Sequence, residues 1–353
     1  FAGDARRELA GDHGRVAFPY VLFISLAALI SGALNANGRF VAAAAAPVIL
    51  NICLVSAMLL AWAFGWDTGW AIVWTVPIAG ILQLALVWRV ADRMGLRLLP
   101  RWPHWTPDLK QLLIIAGPAA LAGGVVQINL LVGRQVASPF DGAIAWLSLA
   151  DRLYQLPLGV VGIALGVVLL PDLSQRLAAK DTSGGRDAFN RATVLSFALT
   201  LPAAVALVAI PLPLVQVLFE RGAFTAQDSQ ATALAVAIYG LGLPAFILQK
   251  VLQPLYFARE DTKRPFYFAL AALVVNIGVA VGLRSYFGFI AAAWGTTLAG
   301  WAMAGLLWWY ARDMGEAAQF DTRIKGRMPR ILVASLVMGA VVWGLAALIA
   351  PAF

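Results

Sequence analysis

An all-α polytopic membrane protein is the fold class this sequence predicts. Three observations predict it: long uncharged apolar runs, a lopsided distribution of basic residues, and an internal repeat spaced by six helices. Of the 353 residues, 61% are hydrophobic and 12% charged, where a soluble domain would be roughly a quarter charged. Mean hydropathy is +0.81. No Asp, Glu, Lys or Arg falls in 16–38, 40–66, 68–88, 111–133, 192–219, 229–249, 265–283, 285–311 or 331–353. A helix needs roughly 20 apolar residues to cross about 30 Å of hydrocarbon, and each run approaches or exceeds that length. A tenth segment, 142–170, is long enough but carries Asp151 and Arg152. The expectation is about ten membrane-spanning helices.

The basic residues orient them. Loops taken in order alternate between two sides of the bilayer. One side holds 18 of the 26 Lys and Arg, within 39, 89–110, 176–191, 259–264 and 312–330; the other holds Arg6, Arg7, Arg15, Arg134, Arg221 and Arg284. The positive-inside rule puts the richer side in the cytoplasm and residue 1 on the outside. Trp62, Trp66 and Trp70 then fall near the outer surface, and Trp88, Trp102, Trp308 and Trp309 near the inner one, as interfacial anchors do. The net charge of +8 is thus topology and does not point to nucleic acid. The single cysteine, Cys53, excludes a disulfide framework or a cysteine zinc site within one chain and reads as a packing residue. The chain opens at Phe1 on polar residues without a signal-peptide pattern, which reads as part of a longer protein.

The repeat supplies the architecture. Trp74-x4-Ala79-Gly80-x7-Trp88 recurs as Trp294-x4-Ala299-Gly300-x7-Trp308, and Arg39 recurs as Arg259 at the same offset of 220 residues. Six helices lie within that offset, an even number, so the two copies share one orientation. This predicts two parallel six-helix lobes, the first incomplete, plus one extra C-terminal helix. Residues 1–91 form the second half of the N-terminal lobe, with three helices at 16–37, 41–64 and 69–91. Residues 92–108 form a cytoplasmic linker between lobes, rich in Arg, Pro and Trp. Residues 109–311 form the C-terminal lobe (109–137, 141–170, 187–210, 229–256, 265–284 and 288–311), and 312–353 a linker and additional helix at 328–349. Paired bundles of this kind are the usual architecture of alternating-access transporters, with the site near the midplane.

The most informative segment is Ala150-Asp-Arg-Leu-Tyr-Gln-Leu-Pro-Leu-Gly159, continuing to Gly162 and Gly166. Arg152 falls roughly 15 Å deep at the helical rise, and an arginine there is costly unless it faces water, a partner or a ligand. Arg152, Gln155, Gly159, Gly162 and Gly166 share one helical stripe, suited to lining a cavity. Guanidinium binds phosphate bidentately and stays charged, so Arg152, with Asp151 and Gln155, is the candidate contact for an anionic headgroup. The plainer alternative is a structural Asp151–Arg152 charge cluster with glycines that serve helix packing. Lys250, about six residues from the cytoplasmic end of its helix, either joins the cavity or snorkels to the interface. Gln127 and Asn129 are further cavity candidates, and with Asn51 and Asn276 they otherwise read as interhelical hydrogen bonds.

Enzymatic chemistry has little to stand on. The two histidines, His13 and His104, read as loop residues. The sequence lacks His-Glu-x-x-His, a P-loop and Gly-x-Ser-x-Gly. Neither a metal nor a cofactor is expected.

Three stretches resemble a known family: Phe18-Pro-Tyr-Val-Leu-Phe-Ile-Ser-Leu with Leu34-Asn-Ala-Asn-Gly-Arg-Phe40 and Ala46-Pro-Val-Ile-Leu-Asn51; Ala150 through Gly166 with Leu170-Pro-Asp-Leu-Ser174; and Tyr256-Phe-Ala-Arg-Glu-Asp-Thr-Lys-Arg-Pro265. All three look like the MurJ (MviN) family of lipid II flippases, in the superfamily that includes MATE exporters. The resemblance implies a fourteen-helix protein of which this chain is helices four to thirteen. It implies flipping of lipid II, the undecaprenyl-pyrophosphate-linked peptidoglycan precursor, from the cytoplasmic to the periplasmic leaflet of the bacterial inner membrane. Arg152 matches a family arginine that holds the diphosphate. Membrane lipids and cell-wall synthesis or division proteins are the further partners it implies. Some members bind sodium through an acid on the helix matching 109–137; this chain has Gln127 and Asn129 there, and the expectation is not carried over. A MATE-type drug/cation antiporter, a flippase for another lipid-linked oligosaccharide and a non-transporting cell-wall scaffold are the competing readings.

Overall fold

The structure, a computed structural model, describes residues 5–96, 106–107, 109–110, 124, 127–164, 169, 172–173, 175–176, 179, 181–259 and 261–349. Among these the chain is helical and without strands. It divides into two compact units, Phe1–Trp105 and Thr106–Phe353.

The first unit contains α1 (Ala5–Ala17), α2 (Pro19–Ala36), α3 (Phe40–Phe64) and α4 (Thr68–Arg93). Pro19 starts α2 at a position where its missing N–H costs nothing. Gly38 and Gly65, both with φ near +70°, stop α2 and α3 in the left-handed conformation that glycine adopts freely. Asp67 caps α4 by accepting the Trp70 N–H at 2.8 Å. The core is small: Ala27, Ile30 and Leu34 of α2 meet Ala42 and Ala46 of α3 and Val87 and Ala91 of α4. Gly80 admits the Tyr20 ring so closely that a Cβ there would lie 2.7 Å from it. One expectation fails here. His13 lies within α1, not in a loop, with its ring edge-on to Trp70 at 4.6 Å. His104 lies outside the described residues.

The second unit begins, where it is well described, with a helical stretch over 127–137. It continues through α5 (Ala143–Ala164), α6 (Thr182–Ala209), α7 (Pro211–Phe219), α8 (Ala226–Phe257), α9 (Lys263–Gly282), α10 (Arg284–Phe287), α11 (Ile290–Ala311) and α12 (Thr322–Ile349). α8 is the axis of this unit and packs on α5, α6, α7 and α11. Its start is fixed by a capping box, in which the Asp228 carboxylate accepts from the Thr225 N–H at 2.8 Å while the Thr225 hydroxyl caps the Asp228 N–H. Asp181 caps α6 through the Gly184 N–H at 2.8 Å. These caps lengthen α6 and α8 at their N-termini beyond the apolar runs. Gly300 of α11 repeats the packing of Gly80: a Cβ there would lie 2.7 Å from the Phe246 ring of α8.

Eight helical stretches among the described residues are long and apolar enough to cross a membrane: Glu8–Ala36, Phe40–Phe64, Thr68–Arg93, Thr182–Ala209, Ala226–Phe257, Lys263–Gly282, Ile290–Met314 and Glu316–Leu348. Helix α5 also spans 22 residues, but Asp151, Arg152 and Gln155 lower its hydropathy and it is not among the eight. Most of the run at 109–137 lies outside the described residues. The chain is a multi-pass membrane protein.

Candidate functional site

Tyr154 fixes the rotation of α5. Its side chain is buried, with its ring centroid 5.1 Å from Tyr239 and 5.5 Å from Phe246, both on α8. With Tyr154 turned inward, Arg152 and Gln155 are left on the exposed side of α5 and Asp151 is half-buried between. Arg152 is nine residues from the start of the helix, roughly 14 Å along it.

The pairing at this site differs from a simple charge cluster. Gln155 donates its amide N–H to the Asp151 carboxylate one turn away. Among the described residues no carboxylate lies within ion-pair distance of the Arg152 guanidinium, although Asp151 precedes it in sequence. A Cβ added at Gly159 or Gly162 would meet nothing within 4 Å among the described residues. Asp151 and Arg152 still interact through their charges at longer range, and α5 presents an open face bearing an exposed guanidinium. Gly166 lies outside the described residues.

The other expected site residues fall on neighbouring elements. Lys250 is exposed on α8, one turn along from Phe246, the ring that stacks on Tyr154. Phe246 also lines a cavity of about 150 Å³ with Asn129, Gln249, Thr296 and Gly300. There the Asn276 amide donates to the Asn129 side-chain oxygen, joining α9 to the stretch 127–137 across the cavity wall. The Asn276 Oδ1 atom is buried without a partner. The interhelical reading holds for this pair. Asn51 and Gln127 are exposed and form no such bond among the described residues. Tyr154, Tyr239, Gln249 and Thr296 were not singled out from sequence. Tyr154, a hydroxyl three residues from Asp151 in an apolar helix, was the one carrying a signal. The described residues contain no group of His, Cys, Asp and Glu able to hold a metal ion.

The whole chain from residue 3 to 353 matches the model of the family described as lipid II flippase MurJ. The chain belongs to the lipid II flippase MurJ family. A relative in Rhizobium tropici, described as a probable lipid II flippase MurJ, is 42% identical over 346 residues, covering 97% of this chain and 65% of its own length. The chain thus spans just under two thirds of that relative. A solved lipid II flippase MurJ in an inward closed conformation superposes with a TM-score of 0.80 at 26% identity, over 95% of this chain and 68% of that one. A Vibrio cholerae MATE transporter superposes with a TM-score of 0.56 at 17% identity, over 90% of this chain and 73% of the transporter. That second likeness shows the fold alone. The exposed Arg152 lies on α5, within the matched residues.

Proposed function

We propose that the protein flips lipid II from the cytoplasmic to the periplasmic leaflet of the bacterial inner membrane by alternating access between two parallel lobes, and that Arg152 holds the diphosphate. The observation that carries this is the exposed guanidinium at mid-helix on an open face of α5. A guanidinium without a carboxylate partner, on a helix otherwise suited to a bilayer, is matched by a doubly charged, bidentate anion. Asp151 and Gln155 flank the contact, and Lys250, Gln127 and Asn129 extend the cavity on neighbouring elements.

The charge asymmetry between loops supports a cytoplasmic placement of the connector 312–321 and a periplasmic placement of residue 1. Transport without catalysis is the reading the site supports. Asp151 is the one carboxylate on α5, it is engaged by Gln155, and among the described residues no second acid partners it for general acid–base work. Differential binding of the charged headgroup by inward- and outward-open states would bias the cycle, and the membrane potential contributes about 2.3 kcal/mol per charge per 100 mV.

The test is genetic. Cells whose only lipid II flippase is the protein expressed from its complete gene with Arg152→Ala should fail to export precursor and lyse. Normal growth of those cells would remove Arg152 from the site.

A further inference from the structure

Helix α12 carries an exposed charge pattern that the headgroup contact at Arg152 does not use. It packs on α6 through a face marked by the buried Ile324 and Ser335 and by Gly339, which lies against Val205. On a different face Arg323, Arg327 and Arg330, spaced i, i+4 and i+7, form one exposed stripe. The same spacing carries the stripe on through Ala334, Val337, Val341, Leu345 and Leu348, all exposed. Three guanidinium groups thus head an apolar track about 27 Å long at the helical rise.

Local chemistry does not favour that row. Like charges three and four residues apart on a helix repel, and Arg323, in the first turn, stands at the positive end of the helix dipole. Helix α12 contains no acid. In the preceding connector Glu316 is paired with Arg186 at 3.3 Å, and Asp321 accepts the Ile324 N–H at 2.8 Å. The positive-inside rule asks for cations on this side of the membrane, but not for three on one stripe. Trp308 and Trp309, exposed at the end of α11 with Arg312 over the Trp308 ring at 3.7 Å, mark the headgroup level near the same connector.

We propose that this stripe is a docking surface for anionic phospholipid in the leaflet on the connector's side. Its phosphodiesters lie on Arg323, Arg327 and Arg330, which present bidentate N–H donors, and its acyl chains run along Ala334, Val337 and Val341. Basic residues beside a spanning helix attract anionic lipid in this way. The proposal rests on the cytoplasmic placement of the connector and not on the Arg152 contact.

The experiment is native mass spectrometry in detergent on proteins expressed from the complete gene, with phosphatidylglycerol and phosphatidylethanolamine added in equal amounts. Wild type should retain the anionic lipid about tenfold over the zwitterionic one, the scale of one to two basic residues at an anionic surface. Arg323→Gln, Arg327→Gln and Arg330→Gln together should abolish that preference. Lysine at the same three positions should keep it within about threefold, which also shows that α12 tolerates change there. Arg39→Gln, Arg93→Gln and Lys263→Gln together remove equal charge from exposed residues scattered over the same side and should leave the preference intact. No preference in wild type overturns the proposal and leaves the stripe to an acidic protein segment. A preference that survives the three glutamines of the stripe overturns it as well. An equal fall in the scattered variant does the same, by showing that diffuse charge is enough. Lysines as damaging as glutamines also overturn it, since charge is then not what holds the lipid.

Discussion

The connector between α11 and α12 is held by one side chain whose removal has a calculable cost. Asn190, 3% exposed near the start of α6, donates to the Gln319 carbonyl at 3.0 Å and accepts the Asp321 N–H at 3.0 Å. It also donates to Arg186 O in its own helix at 2.6 Å. Arg186 adds a 3.3 Å contact to Glu316, and the Phe189 and Phe320 rings stack at 5.7 Å. In Asn190→Ala the two bonds to the connector vanish, at about 1 kcal/mol each. Gln319 is exposed and Asp321 half-buried, so water partly replaces the lost bonds and the net loss should be about 1–2 kcal/mol. Asn190→Asp separates hydrogen bonding from shape. It keeps the acceptor for Asp321 but sets a carboxylate against two carbonyl oxygens, and it should cost more than alanine. The assay is limited proteolysis of the connector with thermal unfolding in detergent, which should rank wild type above Asn190→Ala above Asn190→Asp. Aspartate as stable as wild type, or a connector cut no faster in either variant, would refute the reasoning.

Three further outcomes are expected. Gly295→Ala should destabilise the α9–α11 contact by about 1–3 kcal/mol in thermal unfolding, because its Cβ would lie 2.6 Å from Asn276 Oδ1 and 3.0 Å from Ala280; Gly305→Ala, with open space around it, should not. The Gly184 N–H, then the Ser183 hydroxyl, hold the Asp181 carboxyl below its ordinary value, so its stabilisation of the α6 terminus is complete above about pH 4 and lost as pH falls through the lower folded value. Hydrogen exchange at that terminus should therefore differ between wild type and Asp181→Ala at neutral pH and converge in acid. With Cys53 replaced by Ala, Gly159→Cys should react with a membrane-impermeant thiol reagent about tenfold faster than Val337→Cys, since thiolate forms only where water reaches; equal rates would place the open face of α5 in lipid.

Much of the fold was legible because membrane helices carry their signal in single residues. An uncharged run marks a span without reference to its partners, whereas the starts of α6 and α8, set by the caps Asp181 and Thr225, fall in polar sequence ahead of the runs. The repeat was legible for a physical reason now visible: Gly80 and Gly300 each admit an aromatic ring from a neighbouring helix, so the small residue is required twice. The site was legible only in part. Arg152 stood out by its cost in an apolar helix, and Asn129 and Asn276 as amides in apolar runs. Their partnership across 147 positions has no local signature. Nor does the bond from Gln155 to Asp151, which depends on rotamers. The α1 helix around His13 was missed because its polar residues look like loop when read by hydropathy alone.

The surroundings of Arg152 bear on whether its open face meets water or lipid. At the centre of a lipid-facing helix an arginine costs roughly 2.5–3.5 kcal/mol on insertion scales, more than all that the Asn190 clamp supplies. A lipid-facing surface would also be expected to be filled by branched side chains. Leu156 and Val160 do lie exposed on α5, but Arg152, Gln155 and Gly159 are interleaved with them, and two successive glycines there have no neighbour within 4 Å. Lys250 is exposed one turn from Phe246, the ring that Tyr154 contacts. Two exposed cations, Arg152 and Lys250, thus lie on the two helices that join through Tyr154. Under the proposed headgroup contact this face meets water, with apolar margins on either side, and the labelling of Gly159→Cys tests that directly.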